Sequence, residues 1–433
     1  MMENSGSPSF AFTRAQLTLF LANIFFTAVH GQANFSTGAS FYATRWTALP
    51  TPRGITVDPV DDVLVVSRSL AEIFAVFPDA GGNPVVVQIT NDTSLGLTHA
   101  LTYAAGYLYA SSRSSVYRWP YTPGQRRMVG VPAEQVIYNI PGSNEVAFIA
   151  RPIIFDARMN FYVAVGTGVN TPPELDSNRT RIRKFGRLNS VDFPIDFETE
   201  EVYVDGVRND VGIDFDASGT LWGVENGITG GIVRPDLGPD NFAMFNPTEE
   251  LNRFNRPPGT FYGYPYCFSS YILNDFPPGT QFAWHTFLND GIHTDEWCRN
   301  RSNVELPALA MPAHEAPLGI TFYDGRGCNG VVGSFPCSMI GDAFVSFHGS
   351  SCCGGAPPVG YRVARLPFDK ATLTPMGEMV DVIFDSERER CVNNAERATC
   401  FRPVSAAFDY NGHMIVTVDS TGELFKVYYN GTV

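Results

Sequence analysis

One short phrase recurs six times along this 433-residue chain, and it constrains the fold more than any other feature. The phrase is an apolar alternating strand, a turn built on Asp, Gly or Asn, and a second alternating strand. Its copies are GITVDPVDDVLVVS from Gly54, ALTYAAGYLYASS from Ala100, PIIFDARMNFYVAVG from Pro152, VGIDFDASGTLWGVE from Val211, LGITFYDG…GDAFVSFHG from Leu318 and VSAAFDYNGHMIVTVD from Val404. Alternation of period two around such turns is the signature of a β-hairpin. Most copies lead into a third segment with an aromatic residue: VYRWPY, IRKFG, YRVARLPF and LFKVYY. A unit this small cannot bury both of its faces alone, so the repeats must stack. Six sheets set radially make an all-β fold, a six-bladed β-propeller. Hydrophobic residues at 44% and charged residues at 17% support a large core, and 40 Gly with 31 Pro supply its turns.

The spacing is uneven. A long insert, about residues 228–315, falls between the fourth and fifth blades, with Pro-Pro and Pro-Gly turns, many aromatics and two cysteines. Loops of this length carry binding function or cap a site. No Gly/Ser-rich linker marks a second domain, so residues 32–433 read as one propeller. Residues 1–31 read as a signal peptide. Arg14 precedes an apolar run, Leu17 to Val29, too short to span a bilayer, and Val29 and Gly31 are small enough for cleavage. A signal anchor is the competing reading, and no later stretch approaches a membrane span. Export agrees with five N-x-S/T sequons, at Asn34, Asn91, Asn178, Asn300 and Asn430. It also agrees with eight cysteines, an even number, all after residue 266. They form no C-x-x-C, which argues against zinc. Cys328 with Cys337 and Cys391 with Cys400 are near-neighbour pairs, and Cys352 and Cys353 are adjacent, but spacing leaves the connectivity open. These features place the protein outside the cell.

The formal net charge is -14. A chain this acidic repels nucleic acid and anionic lipid, so clustered basic residues carry more information. Arg53, His99, Arg151, Arg208, His314 and Arg402 stand just before, or a few residues ahead of, the six first strands. In a propeller such positions surround one mouth of the central channel. Converging arginines, each a fork of parallel donors, suit a compact polycarboxylate. The competing reading is that individual arginines tie blades together through loop aspartates.

Several segments occur in a telling order: GVRNDVGIDFDASGTLWGVENG (206–227), TEELNRF (248–254), YGYPYC (262–267), PAHEAPLGITFYDG (312–325), GDAFVSFHGS (341–350), GYRVARLPF (360–368) and FRPVSAAFDYNGHMIVTVDSTGELFKV (401–427). PRGITVD (52–58) and LTHALTY (97–103) precede them. Over this span the chain resembles the glucose/sorbosone dehydrogenase family, nearest its eukaryotic branch of secreted, pyranose-oxidising quinoproteins. The resemblance implies pyrroloquinoline quinone, a planar tricarboxylate, as cofactor, helped by Ca2+. It implies that Arg208, Asn209 and Arg402 hold the quinone and that His314, His99 and Arg53 line the same pocket. It also implies calcium ligation by the backbone carbonyls of Asn226, Gly227 and Ile228, sound chemistry for a hard cation.

Two departures from the family stand out. The family's catalytic histidine lies three or four residues before an arginine that resembles Arg151, where this chain has Ala147 and Phe148. His99, at the matching offset one blade earlier and with an ordinary pKa of about 6.5, is the substitute base. After the His-Gly-Ser of the fifth blade this chain has SCCGG in place of a Trp-Asn-Arg stretch. The reading that follows is a secreted sugar or pyranose dehydrogenase. A base takes the hydroxyl proton, hydride leaves carbon, and electrons pass to an external acceptor. The alternative is a catalytically inactive propeller that binds an extracellular protein or carbohydrate.

Overall fold

The computed structural model describes residues 31–145, 148–170, 173–175, 178–188, 192–229, 231–238, 242–350 and 358–431. Apart from Gly31, the expected signal peptide lies outside the described residues, as do Cys352 and Cys353. Six sheets of four or five strands surround a central channel. Their innermost strands are Pro52–Val57, Leu97–Ala104, Ile153–Phe155, Asp210–Phe215, Pro317–Phe322 and Pro403–Phe408. Each inner strand packs against the next, and the last packs against the first.

The second strand of each blade explains why the blades must stack. Val63–Ser67 is buried at all five positions. Val63 and Val65 pack with Ile415 and Leu424 of the sixth blade. Leu64 and Val66 pack with Leu101, Leu108 and Trp119 of the second. Alternate side chains therefore serve two different cores, each fully buried one contributing about 1.5–3 kcal/mol. Near the channel the backbones approach closely. A Cβ on Gly54 would stand 2.0 Å from the His99 carbonyl oxygen, and one on Gly319 2.7 Å from that of Val404. Glycine is needed there for close approach.

The ring closes through the N-terminal segment. Phe41–Ala48 pairs antiparallel with Glu423–Tyr429 and becomes the outer strand of the sixth blade, which removes an open edge. Phe35–Thr37 adds to the outer edge of the fifth.

The long insert is not a separate excursion between the fourth and fifth blades. Glu249–Phe254 and Leu309–Met311 within it are the third and fourth strands of blade four itself. Thr260–Phe261 adds to the outer edge of blade three, and Cys267–Ser269 pairs with Gln281–Ala283 in a small hairpin. These strands escape the sequence pattern because they lie outside the recurring phrase.

Three disulfides are present, Cys267–Cys298, Cys328–Cys337 and Cys391–Cys400. They use six of the eight cysteines. Thiol titration in denaturant is therefore expected to find no more than two free thiols, and six or more would contradict the disulfide framework. No helix among the described residues is long and apolar enough to cross a membrane.

Candidate functional site at the channel mouth

Where the inner strands begin, a cavity of about 470 Å³ opens, lined by Arg53, Arg68, Arg208, Arg402, His314 and His348 together with Asn209, Asn226, Gly227, Glu249 and Asp419. Antiparallel pairing explains the collection. The start of each first strand lies beside the end of the second, so Arg53 meets Arg68, and Arg402 meets Asp419.

Asp419 is the hub. It accepts from Arg53 Nη1 at 2.6 Å and from His348 Nε2 at 2.8 Å, with Arg68 Nη2 at 3.8 Å. Burial opposes its ionisation, but the surrounding His348, Arg53 and Arg402 outweigh this and hold its carboxyl far below the usual carboxylate range. Arg402 also faces this ring: its Nη2 lies 2.8 Å from Nδ1 and donates to the Gly349 carbonyl at 3.1 Å, and its Nε lies 3.4 Å from Nε2. The Asp419 carboxylate can only accept, so Nε2 carries the proton and Nδ1 the lone pair toward Arg402. Burial first, and then the Arg402 charge, lowers the His348 pKa to about 4. The imidazole is neutral near pH 7.

Arg208 anchors the opposite wall. Its Nη1 donates to the Asn226 and Gly227 carbonyls, both at 2.8 Å, and its Nη2 to Asn170 Oδ1 at 2.8 Å. Its guanidinium stands 5.3 Å from the centre of the Phe148 ring. Arg53 and Arg208 both keep a buried Nε without a partner. Glu249 accepts from the Gly227 and Ala316 amides at 2.7 and 3.1 Å, and burial lifts its pKa to about 7. His314 donates from Nε2 to the Ala243 carbonyl at 2.8 Å. His314 and Ala316 have φ of 66° and 53°, a left-handed backbone costing about 1–3 kcal/mol per residue. That strain is held where the chain re-enters the inner ring.

The proposed residues do not all meet in the cavity. Arg53, Arg208, Asn209, His314 and Arg402 line it, as do Asn226 and Gly227. Ile228 instead buries its side chain among Ile232, Phe242 and Phe268. Arg151 is fully buried and donates to the carbonyls of Pro141, Phe148 and Ala150 at 2.6–2.9 Å, a tie to the segment that leads from the second blade into the third. His99 lines the channel beneath the cavity, with Nδ1 3.4 Å from Arg53 Nη2. Burial and then the Arg53 charge push its pKa well below 6.5. The close approach of two neighbouring inner strands at Gly54 and the His99 carbonyl brings the ring beside Arg53. Phe148, one of the two positions where the resemblance expects a base, is buried and lines the cavity with an apolar ring, and Ala147, the other, lies outside the described residues.

A profile of the TrAA12-like family matches residues 36–430. The chain belongs to the TrAA12-like family. It is 26% identical over 406 residues to a pyrroloquinoline quinone-dependent pyranose dehydrogenase of Coprinopsis cinerea, which covers 88% of this chain and 52% of that protein. The chain thus spans about half the length of this curated relative. It is 27% identical over 402 residues to a pyrroloquinoline quinone-dependent sugar dehydrogenase of Hypocrea jecorina, covering 88% and 85% of the two chains. Among solved structures, the calcium structure of the Trichoderma reesei carbohydrate-active enzyme of family AA12 matches with a TM-score of 0.76 at 25% identity, covering 93% of this chain and 98% of the other. The holo pyranose dehydrogenase PQQ domain of Coprinopsis cinerea shares the fold at a TM-score of 0.76 and 24% identity, covering 92% and 98%.

In this TrAA12-like chain, reading only the starts of the first strands missed Arg68, His348 and Asp419. The signal was available. Second strands end at Ser67, Glu225, Phe347 and Val418, and the next residues are Arg68, Asn226, His348 and Asp419. The same register rule applied one strand further out finds them.

Proposed function

We propose that this TrAA12-like chain is a quinoprotein dehydrogenase that oxidises a sugar hydroxyl with pyrroloquinoline quinone. The observation that carries the reading is the convergence of Arg53, Arg68, Arg208 and Arg402 on one cavity in a chain of net charge -14. Such a donor set suits a planar tricarboxylate, and the unpartnered Nε atoms of Arg53 and Arg208 leave donors to spare. Arg53, Arg208, Asn209, His314 and Arg402 would hold its polar edge. A calcium ion suits the carbonyls of Asn226 and Gly227, which already converge on a cation, the Arg208 guanidinium. When bound, the quinone supplies a two-electron acceptor for the hydride on the sugar carbon.

The chain's own part is to place the sugar and take its proton. His348 is the proposed base. Arg402 occupies its Nδ1 lone pair, so a ligand carboxylate that draws Arg402 away frees Nδ1 to accept the hydroxyl proton. Asp419 keeps Nε2–H donated and offsets the charge that then forms on the ring. Phe148 excludes water from the opposite wall without competing for the proton. His99, under Arg53, positions that arginine. An extracellular location is part of the proposal, supported by three disulfides, the apolar run Leu17–Val29 and the sequons.

The deciding experiment adds quinone and calcium to the purified chain. A saturable bound-quinone spectrum is expected, bleaching to the reduced form when a pyranose is supplied and recovering with an artificial external acceptor. A chain that takes up no quinone is not this enzyme. One that binds quinone but oxidises no sugar is the binding protein that Phe148 at the family's base position favours.

A further inference from the structure

The cavity holds one more cation than the quinone assignment uses. Arg53 commits an N–H to Asp419, Arg208 commits its terminal nitrogens to Asn226, Gly227 and Asn170, and Arg402 donates to Gly349 beside the His348 ring. Arg68 is different. Among the described residues its guanidinium makes no hydrogen bond, and its ion pair with Asp419 is loose, with Nη2 3.8 Å from Oδ2. Asp419 already accepts from two nearer donors, Arg53 on Oδ2 at 2.6 Å and His348 on Oδ1 at 2.8 Å. The position follows from the strand order. Arg68 is the first residue after Val63–Ser67, and its amide donates to the Thr51 carbonyl at 3.0 Å, which pins the backbone beside the start of the first strand. The side chain then lines the cavity.

Depth separates Arg68 from the other arginines. Its side chain is 29% exposed, against 8% for Arg53, and Arg208 is buried. Arg68 therefore stands on the solvent side of the cavity, where a diffusing ligand arrives. Burial first, and then the Arg53 charge, lower its pKa, so the cation is partly desolvated and repelled by its neighbour. An arriving anion relieves the repulsion and supplies the missing partner. The quinone's polar edge falls to the deeper donors, Arg53, Arg208, Asn209, His314 and Arg402, which leaves Arg68 to the second ligand, the sugar. One carboxylate, Asp419, separates Arg68 from the His348 ring. A sugar whose hydroxyl meets His348 thus brings its other substituents within reach of Arg68. A fork of parallel N–H donors with no partner matches a carboxylate better than a lone hydroxyl.

We propose that Arg68 selects sugars that carry a carboxylate, the uronic acids, by holding that group while His348 takes the proton of a ring hydroxyl. The inference rests on the dehydrogenase reading and names its substrate class. The carboxylate takes no part in the redox step and leaves unchanged on the product.

The test compares matched sugars on the full chain, glucose with glucuronate and galactose with galacturonate. With quinone and calcium supplied, kcat/KM is expected to favour the uronate of at least one pair by about 10- to 100-fold, the worth of a hydrogen bond to a charged group. The preference should shrink as salt screens the partly exposed charge. Arg68→Gln is expected to remove the preference, whatever it does to the neutral sugar. Arg68→Lys keeps the charge without the fork and should leave an intermediate preference. Calorimetry on the quinone-free chain reads the site without turnover: wild type is expected to bind the preferred uronate, and Arg68→Gln to bind it about tenfold more weakly or worse. No preference for either uronate in wild type, or a preference that persists in Arg68→Gln, overturns the proposal. If Arg68→Gln does not fold, a wild-type preference unmoved by salt and by Arg68→Lys overturns it. A quinone-loaded chain that oxidises neutral pyranoses as readily as uronates sinks this inference and leaves the dehydrogenase reading standing. A chain that takes up no quinone but binds a uronate through Arg68 sinks the dehydrogenase reading and leaves the carboxylate site standing.

Discussion

Replacing His348 with alanine is expected to lower sugar oxidation by about 10²- to 10⁴-fold, the usual contribution of a positioned general base. Quinone uptake should survive, because the arginines remain. The pH profile gives a second readout. Only the neutral ring accepts a proton, so activity must fall as pH drops through the His348 pKa. Burial and Arg402 lower that pKa to about 4. The acid limb in wild type therefore belongs near 4, whereas an ordinary histidine would place it at about 6.5. His99→Ala should leave this limb in place, because His99 lies under Arg53 and off the cavity wall. Wild-type turnover in His348→Ala, or an acid limb that moves only in His99→Ala, would return the role of base to His99.

The six blades are legible because the recurring phrase is a physical unit. Strands such as Val63–Ser67 and Met414–Val418 are buried at every position, so their composition is fixed from both sides. Outer strands carry less information. Leu309–Met311 is three residues long and half-buried, and Ile195–Asp196 joins the second blade with two residues from between the third blade's third and fourth strands. Nothing in their sequence states which sheet they join. The same limit displaced the insert, whose EELNRF strand belongs to blade four but carries charges at positions the phrase leaves apolar. The cavity was partly legible. Position around the ring identifies Arg53, Arg208 and Arg402 but not what each side chain does. Arg402 turns to His348, whereas Arg151, equally basic and similarly placed, turns to three carbonyls. The choices of Arg402 and Arg53 depend on partners 54 and 366 residues away, His348 and Asp419, which spacing alone does not encode.

Asp419→Ala is expected to be the most destabilising single change at the channel mouth. The carboxylate is nearly buried, with 7% of its side chain exposed, and Arg53 is 8% exposed. Removing it leaves the buried Arg53 and the half-buried Arg402 as neighbouring cations without the anion they share. Breaking a buried pair in this way costs about 3–5 kcal/mol, because the orphaned charge remains desolvated. The loss should appear as a lower denaturation midpoint in the quinone-free protein. An anionic ligand changes the outcome. If the quinone brings carboxylates to the same cations, it replaces part of the missing charge, so quinone should raise the midpoint of Asp419→Ala more than that of wild type. Asp419→Asn separates charge from catalysis. The amide restores bulk but can turn its NH2 toward His348 Nε2, favouring the tautomer with a proton on Nδ1. That tautomer cannot accept from the sugar, so turnover in Asp419→Asn should fall by orders of magnitude even where folding is recovered. An alanine variant as stable as wild type would show that the cations at this mouth do not depend on Asp419. Equal quinone-induced shifts in the two proteins would show that the ligand's charge is bound elsewhere.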